Sequence, residues 1–257
     1  MDIKHISSGE NEYIKKIAKL KERKYREQSS LFVVEGERSV REVMDSGFRV
    51  ESVIVTETFL ERRGESVFAD GSACLVVADK LFLRLCDTKT PQGILAVVKL
   101  PEMPEKLTGK RYLMCDCLQD PGNAGTVIRS ADAFGFDGVL FTKGSVDVFS
   151  PKVIRSSMGS VFHIPVITDL LPAFLTEAQQ EGFFLSVTAL HQNSVPLRDG
   201  TFAEKQIFVI GNEGNGVSET VLSMADEIVH IPMQGQAESL NAGVAASVLM
   251  YEVSCHE

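Results

Sequence analysis

The chain has 257 residues, of which 44% are hydrophobic and 24% charged, with a formal net charge of −9. At about 100 to 200 residues per domain, this describes a soluble globular protein of two domains, or one large one, with a substantial core. No run approaches the roughly 18 apolar residues of a membrane span, and Met1-Asp2-Ile3-Lys4-His5 enters polar sequence without the apolar stretch of a secretory leader, so a membrane-embedded or secreted protein is not expected. The cysteines at 74, 86, 115, 117 and 255 are odd in number and unevenly spaced. Cys115 and Cys117, two apart, are expected on one face of a strand and not as a CxxC redox pair, which points to a reduced, cytoplasmic protein.

In chain order, residues 11–26 have the spacing of an amphipathic helix, with Ile14, Ile17, Ala18 and Tyr25 as its apolar stripe. The same stretch carries Lys15, Lys16, Lys19, Lys21, Arg23, Lys24 and Arg26 against the single acid Glu22. An acidic body with one basic stretch can hold phosphates locally, and a solvated helix face is the bland alternative. A β run follows at Leu31–Val34, then Glu35-Gly36 and a helix over Glu37–Asp45 stopped near Gly47. Strand Val50–Val55, helix Thr58–Arg62, strand Cys74–Val77, helix Lys80–Cys86 and strand Ile94–Val98 complete a unit of alternating β and α. Residues 101–107 hold two prolines and no periodicity, and read as a linker between a domain at 1–100 and one at 108–257.

The second half alternates again. Strands are expected at Tyr112–Asp116, Gly138–Phe141, Phe183–Thr188, Gln206–Ile210 and Glu227–Ile231. Helices are expected at Ala124–Phe134, Pro151–Met158, Leu170–Glu181, Ser218–Met224 and Leu240–Glu252. The alternation predicts a largely parallel sheet covered on both faces, whose ligands bind beyond the carboxyl ends of the strands. The last helix is uncharged through Tyr251 and rich in small residues, so it belongs in a core or against a second subunit.

Three strand-end loops carry the chemistry. The first runs from Asp120 to Arg129, where Asn123 can cap a helix, Gly125 lets a ligand approach the backbone, and Arg129 can pair with Asp132. The second is Gly211-Asn212-Glu213-Gly214-Asn215-Gly216. Its GxxGxG order, late in the chain, is not the GxGxxG of a dinucleotide-binding turn, which argues against a nicotinamide oxidoreductase. The third runs from Ile231 to Asn241, where Ser239 and Asn241 are also ordinary helix-capping types.

Together, Asn123-x-Gly125-x-x-x-Arg129, Gly211-Asn212-Glu213-Gly214-x-Gly216, and Ile231-Pro232-Met233 with Glu238-Ser239-Leu240-Asn241 resemble the three motifs of the SpoU (TrmH) family. These are S-adenosylmethionine-dependent RNA ribose 2′-O-methyltransferases of the SPOUT superfamily. Lys24-Tyr25-Arg26 with Phe32 to Arg38 is similar to the family's N-terminal substrate-binding domain, so the resemblance spans nearly the whole chain.

The resemblance implies a C-terminal parallel-sheet SPOUT domain with a deep trefoil knot, preceded by a small α/β RNA-binding domain. It implies that Ile210, Gly211, Asn212, Gly214, Gly216, Ile231, Met233, Gly235 and Leu240 hold the methyl donor. Arg129 becomes the catalytic residue, contributed to a partner subunit's site, with Asn123, Glu213, Ser239 and Asn241 around it. Lys15, Lys16, Lys19, Lys21, Arg23, Lys24 and Arg26, with Arg38 and Arg41, become the RNA-binding residues. The five histidines are scattered, and none pairs with a cysteine at ligand spacing, so no metal is expected. A homodimer is expected, with 23S ribosomal RNA as substrate in preference to tRNA. The rival is a non-catalytic RNA-binding or ribosome-assembly factor on the same fold.

Overall fold

Two sheets organise the chain in the computed structural model, which describes residues 3–64, 73–104 and 106–256. Glu105 of the expected linker and the outermost terminal residues of the two expected domains lie outside the described residues. The chain groups into one unit of Met1–Glu102 with Phe149–Arg155, and a second of Met103–Val148 with Ser156–Glu257.

In the first unit, β1 (Ile3–Ile6), β4 (Ala73–Val77), β3 (Val50–Thr56), β5 (Ile94–Lys99) and β2 (Leu31–Glu35) lie side by side in that order. β1, β4 and β3 run parallel, whereas β5 is antiparallel to both its neighbours. Strict alternation sends Val33, Ile54, Leu75, Val77, Leu95 and Val97 to one face, where they bury Ile14 and Ile17 of α1 (Glu12–Lys19) and Leu81, Phe82 and Leu85 of α5 (Asp79–Leu85). The opposite face is covered by α3 (Glu37–Met44), which packs on β2 and β5, and α4 (Glu57–Arg63), which packs on β3.

The expected helix over 11–26 is two helices. Asn11 caps α1 by accepting from the Tyr13 and Ile14 amides. The chain then turns at Leu20 and restarts as α2 (Arg23–Ser29) from an extended Glu22. Leu20 is buried at the break, and the Arg26 guanidinium turns inward to donate to its carbonyl oxygen. The bond keeps a carbonyl freed at the break from being buried without a donor.

In the second unit all seven strands are parallel, in the order β10 (Val195–Pro196), β12 (Glu227–His230), β9 (Phe184–Thr188), β11 (Gln206–Ile210), β6 (Arg111–Cys115), β7 (Gly138–Thr142) and β8 (Val166–Leu170). The central strands are fully buried, as a parallel sheet covered on both faces requires. α6 (Pro121–Ala133) and α10 (Ala242–Ser254) pack together, with Ser130 and Ser247 hydroxyls bonded at 2.7 Å. Between β7 and β8 the chain forms the short α7 (Pro151–Ser156), and α8 (Ala173–Gln180) and α9 (Glu219–Leu222) supply Leu175, Ala178 and Val221 to the core beside Met114, Leu140 and Val209.

α10 begins two residues later than its composition suggests, because Asn241 takes the cap position and accepts from the Val244 amide at 3.2 Å. Its inner face buries Ala242, Gly243, Ala246, Leu249, Met250 and Val253. The outer face leaves Val244, Val248 and Tyr251 exposed, the last at 57%. An apolar helix is therefore only half covered within one chain.

Candidate active site

The loops after β6, β9, β11 and β12 leave the same end of the parallel sheet, where such sheets bind their ligands. β6 delivers Asp116, which is buried and accepts hydrogen bonds from Thr142 Oγ1 at 3.1 Å and the Ser218 amide at 2.8 Å. It ties the far end of the β11 loop to β6. Cys117 then leaves the strand at a φ of 54°, so Cys115 and Cys117 do not share a pleat face.

Asp120, and not Asn123, caps α6: its Oδ1 accepts from the Asn123 amide at 2.8 Å, with Pro121 in the first turn. Asn123 is buried one turn in, and donates from Nδ2 to Glu213 Oε1 at 2.9 Å. The same oxygen accepts from the Asp120 amide at 3.0 Å, and Oε2 accepts from the Gln119 amide at 3.2 Å. Glu213 thus clasps the β6 loop to the β11 loop.

Burial pushes the Glu213 carboxyl up, but the bonds from Asn123 and from the Glu213, Asp120 and Gln119 backbone outweigh it and hold the group below its ordinary 4.5. A carboxylate lowered on folding contributes stability above its ordinary range and loses it as pH falls through the folded-state value. Glu213→Gln should therefore lower the melting temperature at pH 7 and flatten its fall below pH 4.5. A wild-type and variant pair with parallel melting curves across pH 3 to 7 contradicts the clasp.

The glycine-bearing loop closes on itself. Asn212 and Gly216 exchange backbone bonds of 2.9 and 3.0 Å. The Asn212 side chain accepts from the Gly214 and Asn215 amides and donates to the Cys117 carbonyl at 2.8 Å. A β-carbon on Gly211 would lie 2.1 Å from the Gly216 carbonyl carbon, so no other residue fits. At Gly125 the space expected for a ligand is taken by Ser156, whose Oγ would lie 2.0 Å from an added β-carbon.

Between these loops opens a cleft of about 430 Å³. Of the residues assigned from the sequence, Ile210, Gly211, Asn212, Glu213, Gly214, Gly216, Ile231, Met233, Ser239 and Leu240 line it. Gly235, Asn123, Asn241 and Arg129 do not. Asn123 and Asn241 nevertheless converge, since a methyl group on Gly243 would meet both side-chain oxygens at 3.3 Å. Arg129 is exposed on α6 and has no hydrogen-bond or ion-pair partner among the described residues. Asp132, its expected mate, instead faces His163 Nδ1 at 2.9 Å.

Thr188, Ala189, Leu190, Val217, Val229, His230 and Glu238 also line the cleft and are not among the residues expected from the sequence. His230 Nδ1 and the Ser194 hydroxyl are 2.9 Å apart. The signal available for the 188–190 wall is the end of β9, a parallel strand whose following loop must emerge beside those of its neighbours.

The basic residues of the first unit divide. Arg26 is buried and engaged by Leu20, so it cannot meet a phosphate. Lys15 pairs with Glu10 and Glu12, Arg23 with Glu27, Arg38 with Glu42 and Arg41 with Glu37. Lys16, Lys19, Lys21 and Lys24 are exposed and without a carboxylate partner among the described residues. Lys19 and Lys24 lie over the half-buried Tyr25 ring at 5.4 and 5.8 Å. Among the described residues no group of three His, Cys, Asp or Glu could hold a metal, and no helix is long and apolar enough to cross a membrane.

Residues 110–251 match the family described as the SpoU rRNA Methylase family, and residues 11–96 the MRM3-like substrate binding domain. The 23S rRNA (guanosine(2553)-2′-O)-methyltransferase RlmP of Bacillus subtilis is 40% identical over 98% of this chain and 99% of its own length. An AdoMet-bound rRNA methyltransferase from Sinorhizobium meliloti superposes with a TM-score of 0.87 at 28% identity, over 99% of this chain and 98% of that one. The SpoU methyltransferase AviRb from Streptomyces viridochromogenes, in complex with AdoMet, superposes at 0.82 and 28% identity, over 96% and 98% of the two chains.

Proposed function

The chain belongs to the SpoU rRNA methylase family, and from that premise we propose that it methylates the ribose 2′-oxygen of a nucleotide in 23S ribosomal RNA. It is an S-adenosylmethionine-dependent RNA 2′-O-methyltransferase. The observation that carries the reading is the cleft, whose walls are two of the three motif loops and whose volume suits a small organic ligand. Ile210, Ile231, Met233 and Leu240 offer it an apolar wall, and the folded backbone of 211–216 offers polar groups beside it. The donor residues present therefore fit the group.

When bound, the donor supplies a methyl already activated on a sulfonium. The chain must then position the ribose and help its hydroxyl lose a proton. Arg129 keeps its guanidinium donors uncommitted, and it clamps the RNA phosphate and stabilises the charge growing on the 2′-oxygen. A proton-accepting role suits it poorly, because guanidinium resists deprotonation. Glu213 and Asn123 hold the loops that frame the site, Asn241 fixes the start of α10 beside them, and Ser239 lines the cleft.

We assign the exposed stripe Val244, Val248 and Tyr251 to a homodimer contact. Arg129 lies on α6, the helix against which α10 packs, and it serves the partner subunit's cleft. The proposed trefoil knot and cytoplasmic location follow the family. The first unit binds RNA, with the B. subtilis relative's printed activity favouring ribosomal RNA as substrate.

Lys16, Lys19, Lys21 and Lys24 supply the positive charge that meets RNA phosphates. Changing all four to glutamine should weaken RNA binding and make its log–log salt dependence shallower by up to about 3.6 units, at roughly 0.7 to 0.9 for each phosphate no longer neutralised. An unchanged slope refutes the patch. The substrate is tested by offering methyl-labelled donor with unmodified 23S transcript or bulk tRNA. Label in the 23S transcript alone supports the proposal, and label in tRNA alone overturns it. Donor binding without transfer to either favours the assembly-factor reading.

A further inference from the structure

The first unit holds a second cleft, of about 460 Å³, at the edge where β2, β3 and β4 end and β5 begins. None of the lysine residues of α1 and α2 lines it, and of the stretch from Phe32 to Arg38 singled out in the sequence only Glu37 does. Its lining charges balance, Arg62 and Arg63 against Glu37 and Asp79. Arg63 is spent on Glu37, at 2.8 Å. Arg62 lies over the Phe59 ring at 5.5 Å, is exposed, and has no acceptor among the described residues.

Two further groups are half used. Gln92 Oε1 accepts from the Glu37 amide at 2.8 Å, which leaves Nε2 without an acceptor among the described residues. Asp79 Oδ2 accepts from the Thr58 hydroxyl at 3.1 Å, which leaves Oδ1 without a donor among them. The cleft therefore presents two uncommitted donor groups and one uncommitted acceptor on a wall of zero net charge. A phosphate would want surplus positive charge. A nucleobase, neutral and carrying both acceptors and N–H donors along one edge, matches this inventory.

We propose that this cleft receives the base of an unpaired nucleotide of the RNA substrate. It reads the base edge through Arg62, Gln92 and Asp79, while the lysines hold phosphates elsewhere. The inference rests on the RNA-methyltransferase reading and adds to it a site of sequence recognition apart from the reacting ribose. Unpaired bases are where RNA sequence is chiefly read, and phosphate contacts alone carry no sequence information.

The test compares wild type with Arg62→Ala and Gln92→Ala on unmodified 23S transcript. Both positions are exposed, and thermal melts check that the variants fold. The expected result for Arg62→Ala is a KM for RNA raised about tenfold, as for removal of a base-edge hydrogen bond, with kcat and donor affinity unchanged. The salt slope of RNA binding also stays at its wild-type value, because every phosphate keeps its cation. Unchanged KM in both variants overturns the proposal. A slope made shallower by about 0.9 in Arg62→Ala assigns that residue to a phosphate and overturns the base reading. Should wild type transfer methyl to no RNA, the methyltransferase reading falls by itself. Filter binding of the same transcript then judges the cleft, and equal affinities of wild type and Arg62→Ala overturn it.

Discussion

Arg129→Ala lowers the rate of methyl transfer by about 10²- to 10³-fold, the cost of removing one preorganised donor from a developing oxyanion, while donor affinity stays at its wild-type value. The second half of this expectation comes from place: Arg129 is outside the donor cleft, on the exposed side of α6. The first half comes from its bonding. A surface arginine on a helix can pair with a carboxylate three or four residues away, yet Asp132 is turned to His163 and Arg129 is left with its donors uncommitted. Calorimetry for the donor and single-turnover rates for transfer separate the two halves, and equal losses in both contradict the assignment.

Whether Arg129 serves its own cleft or the partner's is decided by mixing it with a donor-site variant. A heterodimer of Arg129→Ala and Gly211→Ala has one cleft that is intact and faced by an intact arginine, provided the arginine crosses the interface. Random reassortment then restores about a quarter of wild-type activity, one site in two in half of the dimers. If the arginine acts within its own chain, the mixture gives only the wild-type-like sites that neither parent has, which is none, and activity stays at the level of the parents.

Gly211→Ala weakens donor binding. The added β-carbon would lie 2.1 Å from the Gly216 carbonyl carbon and 2.2 Å from the Val217 nitrogen, both backbone atoms that no rotamer change can move. Relief requires opening the Asn212–Gly216 bridge, and with it the inner wall of the cleft. Overpacking of this kind costs about 1–3 kcal/mol, so if it falls on the bound loop conformation the donor dissociation constant rises by up to about two orders of magnitude. Gly214→Ala is the control, since its β-carbon meets only Asn212 Oδ1 at 3.6 Å and should leave affinity near wild type. Equal affinities for the two variants contradict the closed-loop account.

The sequence is most legible where burial enforces a period. The runs at 206–210 and 138–141 are apolar throughout because both faces of a parallel sheet are covered, and they form strands where the pattern places them. β1, β8 and β10 escape the pattern for the opposite reason. Ile3–Ile6 has two polar residues in four, Val166–Leu170 is buried only at its first two residues and ends where a helix is expected to begin, Val195–Pro196 is two residues long, and all three are edge strands.

The stretch 11–26 reads as one helix because its stripe continues through the break. What breaks it is the burial of Leu20 and the inward turn of Arg26, a tertiary bond with no periodic signal. That bond also withdraws Arg26 from the basic face. In the site, residue types identify the loops, but their roles need coordinates. Asn123 has the type of a cap and is a donor to Glu213, Gly125 has the type of a ligand approach and is packed by Ser156, and Gly235 stands apart from the cleft.

The central claim is that the methyl group goes to a ribose oxygen of one nucleotide in ribosomal RNA. The direct measurement is alkaline cleavage of 23S transcript after incubation with the protein and donor, because a 2′-O-methylated ribose cannot form the cyclic intermediate that breaks the chain. The account predicts one new alkali-resistant linkage, present with wild type and absent with Arg129→Ala. Methyl incorporation that leaves every linkage cleavable would place the group on a base and contradict it.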